Sequence, residues 1–186
     1  MTLDVALNFL GEDDNFQGAL ESLKHQQSVR IAGVVPMFPY VAGYLAKNVS
    51  PLVVVTASDR SAEDMKNQLL DFLGESEVEV FPAWETLPHE RLSPSGDTIG
   101  IRTSVLRRLA HPHENSPLRV LITPVRALIQ PIVAGLGDIT PLSLVTGHEI
   151  PMTQLLRDLV DLGFERVDLV ERRGHFAVRG GIIDVF

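Results

Sequence analysis

The sequence predicts an α/β chain: a parallel sheet with flanking helices, followed by the start of a small α+β unit. Two observations carry this expectation. Pro51–Thr56 (PLVVVT) and Leu118–Thr123 (LRVLIT) are short, continuous apolar runs separated by helical segments, the pattern of parallel strands covered on both faces. Beyond about Gly135 the alternation stops, and short strand-like runs with glycine turns take over. With 45% hydrophobic and 22% charged residues, the chain has the material for a sizeable core.

Element by element, Asn15–Gln26 reads as a helix, with Phe16, Leu20 and Leu23 at spacings of four and three. Val29–Val35 (VRIAGVV) reads as a buried strand and Phe38–Lys47 as the helix after it. After the strand Pro51–Thr56, Ser58 or Asp59 caps a helix over Ala62–Leu73, which Gly74 stops. Val78–Phe81 is a short strand, and Pro82–Gly96 a proline-rich loop. Thr98–Ala110 is a helix with Ile101, Val105 and Leu109 on its inner face and Arg102, Arg107 and Arg108 outside. A polar loop, His111–Pro117, leads to the strand Leu118–Thr123 and a short helix, Val125–Gln130.

In the second unit Leu142–Val145 reads as extended, and Met152–Leu162 as a helix with Leu155, Leu156, Leu159 and Leu162 inward. Arg166–Glu171 and His175–Val178 form a hairpin about Arg173-Gly174, with Gly180-Gly181 a bulge or second bend before the strand Ile182–Phe186. The organisation expected is a helical lead over residues 1–26, an α/β domain over 27–133 and an incomplete α+β domain over 134–186. A strand pattern running to Phe186 is expected of the front end of a longer protein.

Charge and composition restrict the function. The chain holds 16 Lys plus Arg against 24 Asp plus Glu, a net charge of −8. Residues 1–100 carry six cations against fifteen carboxylates, which argues against that half gripping a phosphate backbone. The absence of cysteine excludes disulfides, thiolate metal sites and cysteine nucleophiles, and suits a reducing compartment. An acidic start without a basic, apolar leader, and no apolar run near the ~18–20 residues of a membrane span, lead to a cytoplasmic expectation without a membrane partner.

No catalytic constellation emerges. A phosphate loop between the first strand and helix would need glycines, a Lys and a hydroxyl. The segment Gly33–Tyr40 has no such Lys or hydroxyl, and Pro36 and Pro39 remove N–H donors. His111, His113 and Glu114 sit in a polar loop with no fourth ligand implied, and Ser93 and Ser95 near His89 lack a nucleophile turn. Glu75, Glu77 and Glu79 read as a solvated edge. No cofactor or metal is expected in this chain. In the proline-rich loop, Trp84 and Leu87 are read as packing residues rather than ligand contacts. Arg166, Arg172, Arg173 and Arg179 lie on or beside one small sheet, either as a recognition surface for an acidic partner or as a solvated face paired to Glu165, Asp168 and Glu171.

Three segments, FPAWETLPHERLSP (Phe81–Pro94) followed by Arg102 and Leu106, LITPVRALIQ (Leu121–Gln130) and RRGHFAVRGGIIDVF (Arg172–Phe186), closely resemble the N-terminal region of the bacterial transcription-repair coupling factors. The last also resembles the matching part of the excision nuclease subunit UvrB. The resemblance covers about Gln26 to Phe186 and implies a degenerate helicase-like domain without its phosphate loop, plus a small domain that binds UvrA. UvrB carries a DNA-handling hairpin in the corresponding proline-rich region, and Pro82–Gly96 is too short to hold one.

Carried over by motif, the implied UvrA-contacting residues are Arg166 and Arg179, with Arg172 and Arg173 as additional partner contacts. A further Arg of the UvrB pattern, two positions before Arg179, is Ala177 here, which removes one cation from the implied contact. The resemblance implies a non-catalytic module recruiting UvrA to stalled RNA polymerase in transcription-coupled nucleotide excision repair. RNA polymerase, DNA, ATP and Mg²⁺ would be handled by other parts of the parent protein. The alternative is a fragment of an ATP-dependent helicase or UvrB-like subunit with an atypical nucleotide site.

Overall fold

The computed structural model describes residues 4–186 apart from Val34, Pro88, His89, Arg91, Asn115 and Ser116. Two helices lead, α1 (Asp4–Glu12) and α2 (Asp14–Lys24). The Asp13 carboxylate caps α2, accepting from the Phe16 N–H at 2.8 Å. The pair docks on α3 (Phe38–Asn48), where Phe16 meets the Tyr44 ring edge-on at 5.3 Å and Gln17 Nε2 donates to the Tyr44 hydroxyl at 2.9 Å.

A three-stranded parallel sheet follows, built from β1 (Leu52–Thr56), β2 (Val78–Val80) and β3 (Val120–Pro124). Its order is β1-β3-β2, so the last strand inserts between the first two, with Val54 opposite Ile122 and Val80 opposite Ile122 on the other side. The helices α4 (Asp59–Leu69, capped by Ser58) and α5 (Gly96–Ala110, capped by Ser95) make the connections, and α6 (Val125–Leu128) follows β3. Ala42 and Ala46 of α3 and Ala62 and Leu69 of α4 bury one face of the sheet against Val78, Val80, Val120 and Ile122. On the other face Val105 of α5 packs with Phe81, Ala83, Leu118, Leu121 and Ala127.

The second unit comprises α7 (Met152–Asp161) and a mixed sheet of β4 (Glu165–Arg166), β5 (His175–Arg179) and β6 (Ile182–Val185), in the order β4-β5-β6. Leu159 is the buried residue of α7, and Leu155, Leu156 and Leu162 are half-buried beside it. The helix ends at Gly163 in the left-handed region (φ +86°), where the Phe164 N–H returns to the Leu159 carbonyl at 2.9 Å.

Four expectations need correction. Val29–Gly33 forms no strand but an irregular, largely exposed segment, because hydropathy supplies no hydrogen-bonding neighbour and β1 pairs instead with β3; Val34 lies outside the described residues. Strand β1 is covered on one face only, since Val53 and Val55 are each 51% exposed. Leu142–Val145 joins no sheet. Finally, β4 and β5 run parallel rather than as a hairpin; the hairpin is β5–β6, with Arg179 opposite Ile182 and Gly180-Gly181 as its two-residue turn. Gly180 takes a positive φ of +62°, which that turn requires and a side chain disfavours.

Candidate partner-binding surface

The four arginines singled out by sequence occupy three different situations. Arg166 ends β4, is exposed, and has no hydrogen-bond or ion-pair partner among the described residues. Arg179 ends β5, is exposed, and its Nη2 donates to the Asp168 carbonyl at 3.3 Å. Arg166 pairs in register with Phe176, and Arg179 stands three positions further along β5. An odd offset directs side chains to alternate faces of a regular pleat, so strand pairing alone does not set the two guanidinium groups side by side. They are joined instead around the end of β4, where Arg179 reaches the carbonyl two residues beyond Arg166.

Arg172 and Arg173 are held within the chain. Arg172 Nε donates to His175 Nε2 at 2.9 Å, which places the neutral ring's proton on Nδ1, a buried atom with no acceptor among the described residues. Arg173 Nε pairs with Asp97 Oδ1 at 2.9 Å. Ala177, at the position of the missing cation, is buried in β5 between Phe176 and Val178. Apolar side chains border the arginines: Leu169, Ile182, Val185 and Phe186 are all exposed.

The proline-rich loop is fastened to α5 by a feature that helical periodicity misassigns. Arg102, read as an outward residue of α5, is 1% exposed, while Ile101 and Leu109 face out. Its guanidinium carbon lies 4.1 Å from the centroids of both the Phe81 and Trp84 rings, and Nη1 donates to the Pro82 carbonyl at 2.6 Å. Burial pushes its pKa below the ordinary guanidinium value. The rotation of α5 that achieves this also half-buries Arg107 and Arg108. Trp84 packs as expected, but Leu87 is exposed. No local sequence signal marks the stack, since Phe81 and Trp84 lie 21 and 18 residues before Arg102, across the proline-rich loop.

Around this stack the loop is tied by polar side chains. The Trp84 N–H donates to Gln130 Oε1 at 2.7 Å, and Arg126 Nη2 donates to the Trp84 carbonyl at 2.8 Å. The Glu85 carboxylate accepts from the Ser95 hydroxyl at 2.6 Å and from the Thr98 hydroxyl. Burial tends to raise the Glu85 pKa, but these donations, with those of the Glu85 and Ser95 backbone N–H groups, outweigh it and hold the carboxyl below its ordinary value.

Other candidates resolve into structural pairs. Glu77 binds Arg119 at 2.6 Å and Glu79 binds Lys66 at 2.5 Å, so these two are half-buried and paired, while Glu75 is exposed as expected of a solvated edge. His111 lies 3.5 Å from Glu114 and 3.2 Å from Asp138. Among the described residues no three His, Asp or Glu side chains converge as a metal ion needs. At Gly33–Tyr40, Val35–Met37 forms a 3₁₀ turn and Pro39 lies in the first turn of α3. His89 lies outside the described residues. No helix among them is long and apolar enough to cross a membrane.

Comparison with known proteins places the arginine-bearing sheet directly. Residues 142–186 match the family model described as the UvrB interaction domain. The chain is 50% identical over 149 residues, 78% of its length, to the transcription-repair-coupling factor of Mycobacterium tuberculosis (strain CDC 1551 / Oshkosh), covering 12% of that protein. It is 26% identical to the factor of Bacillus subtilis (strain 168) over 191 residues, covering 99% of this chain and 16% of the relative. The Staphylococcus aureus (strain USA300) factor is 25% identical over 189 residues, with the same two coverages. The chain thus spans 12–16% of the length of these relatives. With a UvrB interaction domain at residues 142–186 and half its aligned residues shared with a mycobacterial factor, the chain belongs to the transcription-repair-coupling factor family.

Proposed function

We propose that this chain is a non-catalytic interaction module that recruits UvrA through the sheet of β4, β5 and β6, in transcription-coupled nucleotide excision repair at stalled RNA polymerase. The observation that carries the reading is Arg166, exposed and unpartnered among the described residues, on a sheet within the UvrB interaction domain. A guanidinium without an internal carboxylate keeps its planar fork for two parallel charge-assisted bonds to an acidic partner. Arg179 supplies a second fork tethered only by its 3.3 Å bond to Asp168, and exposed Ile182 adds apolar area at the other end of the turn.

In this reading residues 27–133 are a degenerate helicase-like scaffold and residues 134–186 the UvrA-binding unit. The module works without a nucleotide or metal of its own. ATP and Mg²⁺, and the contacts to RNA polymerase and DNA, belong to other segments of the full-length factors, in the cytoplasm. Calorimetric titration of purified UvrA with this chain at two salt concentrations tests the reading. Saturable binding that weakens with added salt supports it. Absence of binding at micromolar concentrations of both proteins would sink it.

A further inference from the structure

The second unit is pressed against α5 of the first near both ends of that helix. At the N-terminal end, a Cβ placed on Gly96 would lie 2.5 Å from the Arg173 carbonyl oxygen. The next residue, Asp97, takes Arg173 Nε at 2.9 Å. Toward the C-terminal end, a Cβ on Gly137 would lie 2.8 Å from the Leu106 carbonyl oxygen, and Arg107 Nη1 donates to the Ile139 carbonyl at 3.0 Å. His111 adds its 3.2 Å pairing with Asp138.

Neither glycine adopts a left-handed backbone, so it is close approach and not turn geometry that demands them. Helix α5 is itself immobilised by the Arg102 stack on Phe81 and Trp84 and by the bonds of Ser95 and Thr98 to Glu85.

We propose that α5 is the mount that orients the arginine-bearing sheet, with Gly96 and Asp97 forming the seat for the Arg173 turn. Arg173 then acts as an intramolecular positioning residue, not as a partner contact. The inference rests on the reading that Arg166 and Arg179 bind the partner, because the seat would set how those two are presented. Asp97 and Arg173 are 69% and 60% exposed, so their ion pair contributes little alone. The backbone approach at Gly96 is the stronger constraint, since Ala there forces the Arg173 carbonyl away.

The test uses the absence of cysteine. Spin labels on Glu63→Cys and Asp184→Cys, both exposed positions, report the distance between the two units. The parent is expected to give one narrow distance. Gly96→Ala, which favours the helix itself, is expected to broaden and shift it, and Arg173→Ala, which introduces no clash, to broaden it. UvrA binding by Gly96→Ala should weaken by about fivefold, the upper end for a surface interaction. Far-UV circular dichroism confirms that each variant is folded. Arg166→Ala separates the claims: it should lose UvrA binding with the distance unchanged. A parental distance in both Gly96→Ala and Arg173→Ala overturns the mount. A shifted distance with parental UvrA affinity overturns its positioning role. Parental UvrA affinity in Arg166→Ala would overturn the interface reading instead, while the distances still report on the mount.

Discussion

The Arg102 guanidinium stacks 4.1 Å from the Trp84 ring centroid, joining the middle of α5 to the proline-rich loop. The same group covers Phe81 and satisfies the Pro82 carbonyl. Arg102→Ala removes the stack and leaves the part-buried Pro82 carbonyl without this donor, at an expected cost of about 2–4 kcal/mol. Arg102→Lys should recover less than half of that, because an ammonium has no plane to lay on two rings. Urea denaturation followed by Trp84 fluorescence measures both, and a parental midpoint for Arg102→Lys would contradict the stacking account.

Glu85 gives the fold an acid-sensitive tie. Its folded pKa is lowered, so its contribution is fully present above the unfolded carboxyl value, about 4.3. It is lost as pH falls through the lower folded value. Thermal stability of the parent should therefore fall as the pH drops below about 4.3, and Glu85→Gln should flatten that part of the profile. An unchanged slope in Glu85→Gln would show that other carboxylates govern it.

What the sequence disclosed, and what it did not, follows from which interactions are local. The continuous run of β3 is legible because a central parallel strand needs little more than apolar residues and flanking helices. The same kind of run in β1 marks a strand but not that one of its faces is exposed. VRIAGVV has the same composition, but its described residues pair with no strand, and pairing is a property of the whole sheet. Arg102 was misplaced because hydropathy assigns every Arg to solvent, while the guanidinium face can replace an apolar side chain between aromatic rings. The hairpin was shifted by one turn because Gly174 and Gly180 both take positive φ, and either looks like a reversal. Arg166 and Arg179 are named by a motif; that Arg173 pairs with Asp97 depends on a helix start 76 positions earlier, which no local pattern reveals.

Nucleotide binding is not expected. The Val35–Met37 turn and the start of α3 hold Pro36 and Pro39, which donate no N–H, and the capping position, Met37, offers no hydroxyl. Equilibrium dialysis with ATP and Mg²⁺ should detect no micromolar site. Mg²⁺-dependent binding in that range would favour a helicase with an unusual phosphate site.

Phe176 anchors the small sheet, fully buried in β5. Phe176→Ala should cost about 3–5 kcal/mol, the range for deleting a buried aromatic ring. Hydrogen exchange should then show lost protection in β4, β5 and β6 while β1 and β3 retain theirs. Equal loss in both sheets would mean that they unfold as one unit.

The central claim is that exposed arginines of the small sheet bind UvrA, and Arg166→Ala and Arg179→Ala test it most directly. Arg166 has no internal partner among the described residues and Arg179 only a 3.3 Å bond to a carbonyl, so both variants should melt within a degree or two of the parent. Each should weaken UvrA binding at least tenfold in a calorimetric titration, as removal of a central guanidinium does at a desolvated interface. Variants that melt like the parent and also bind UvrA like the parent would contradict the claim and leave the sheet without its assigned partner.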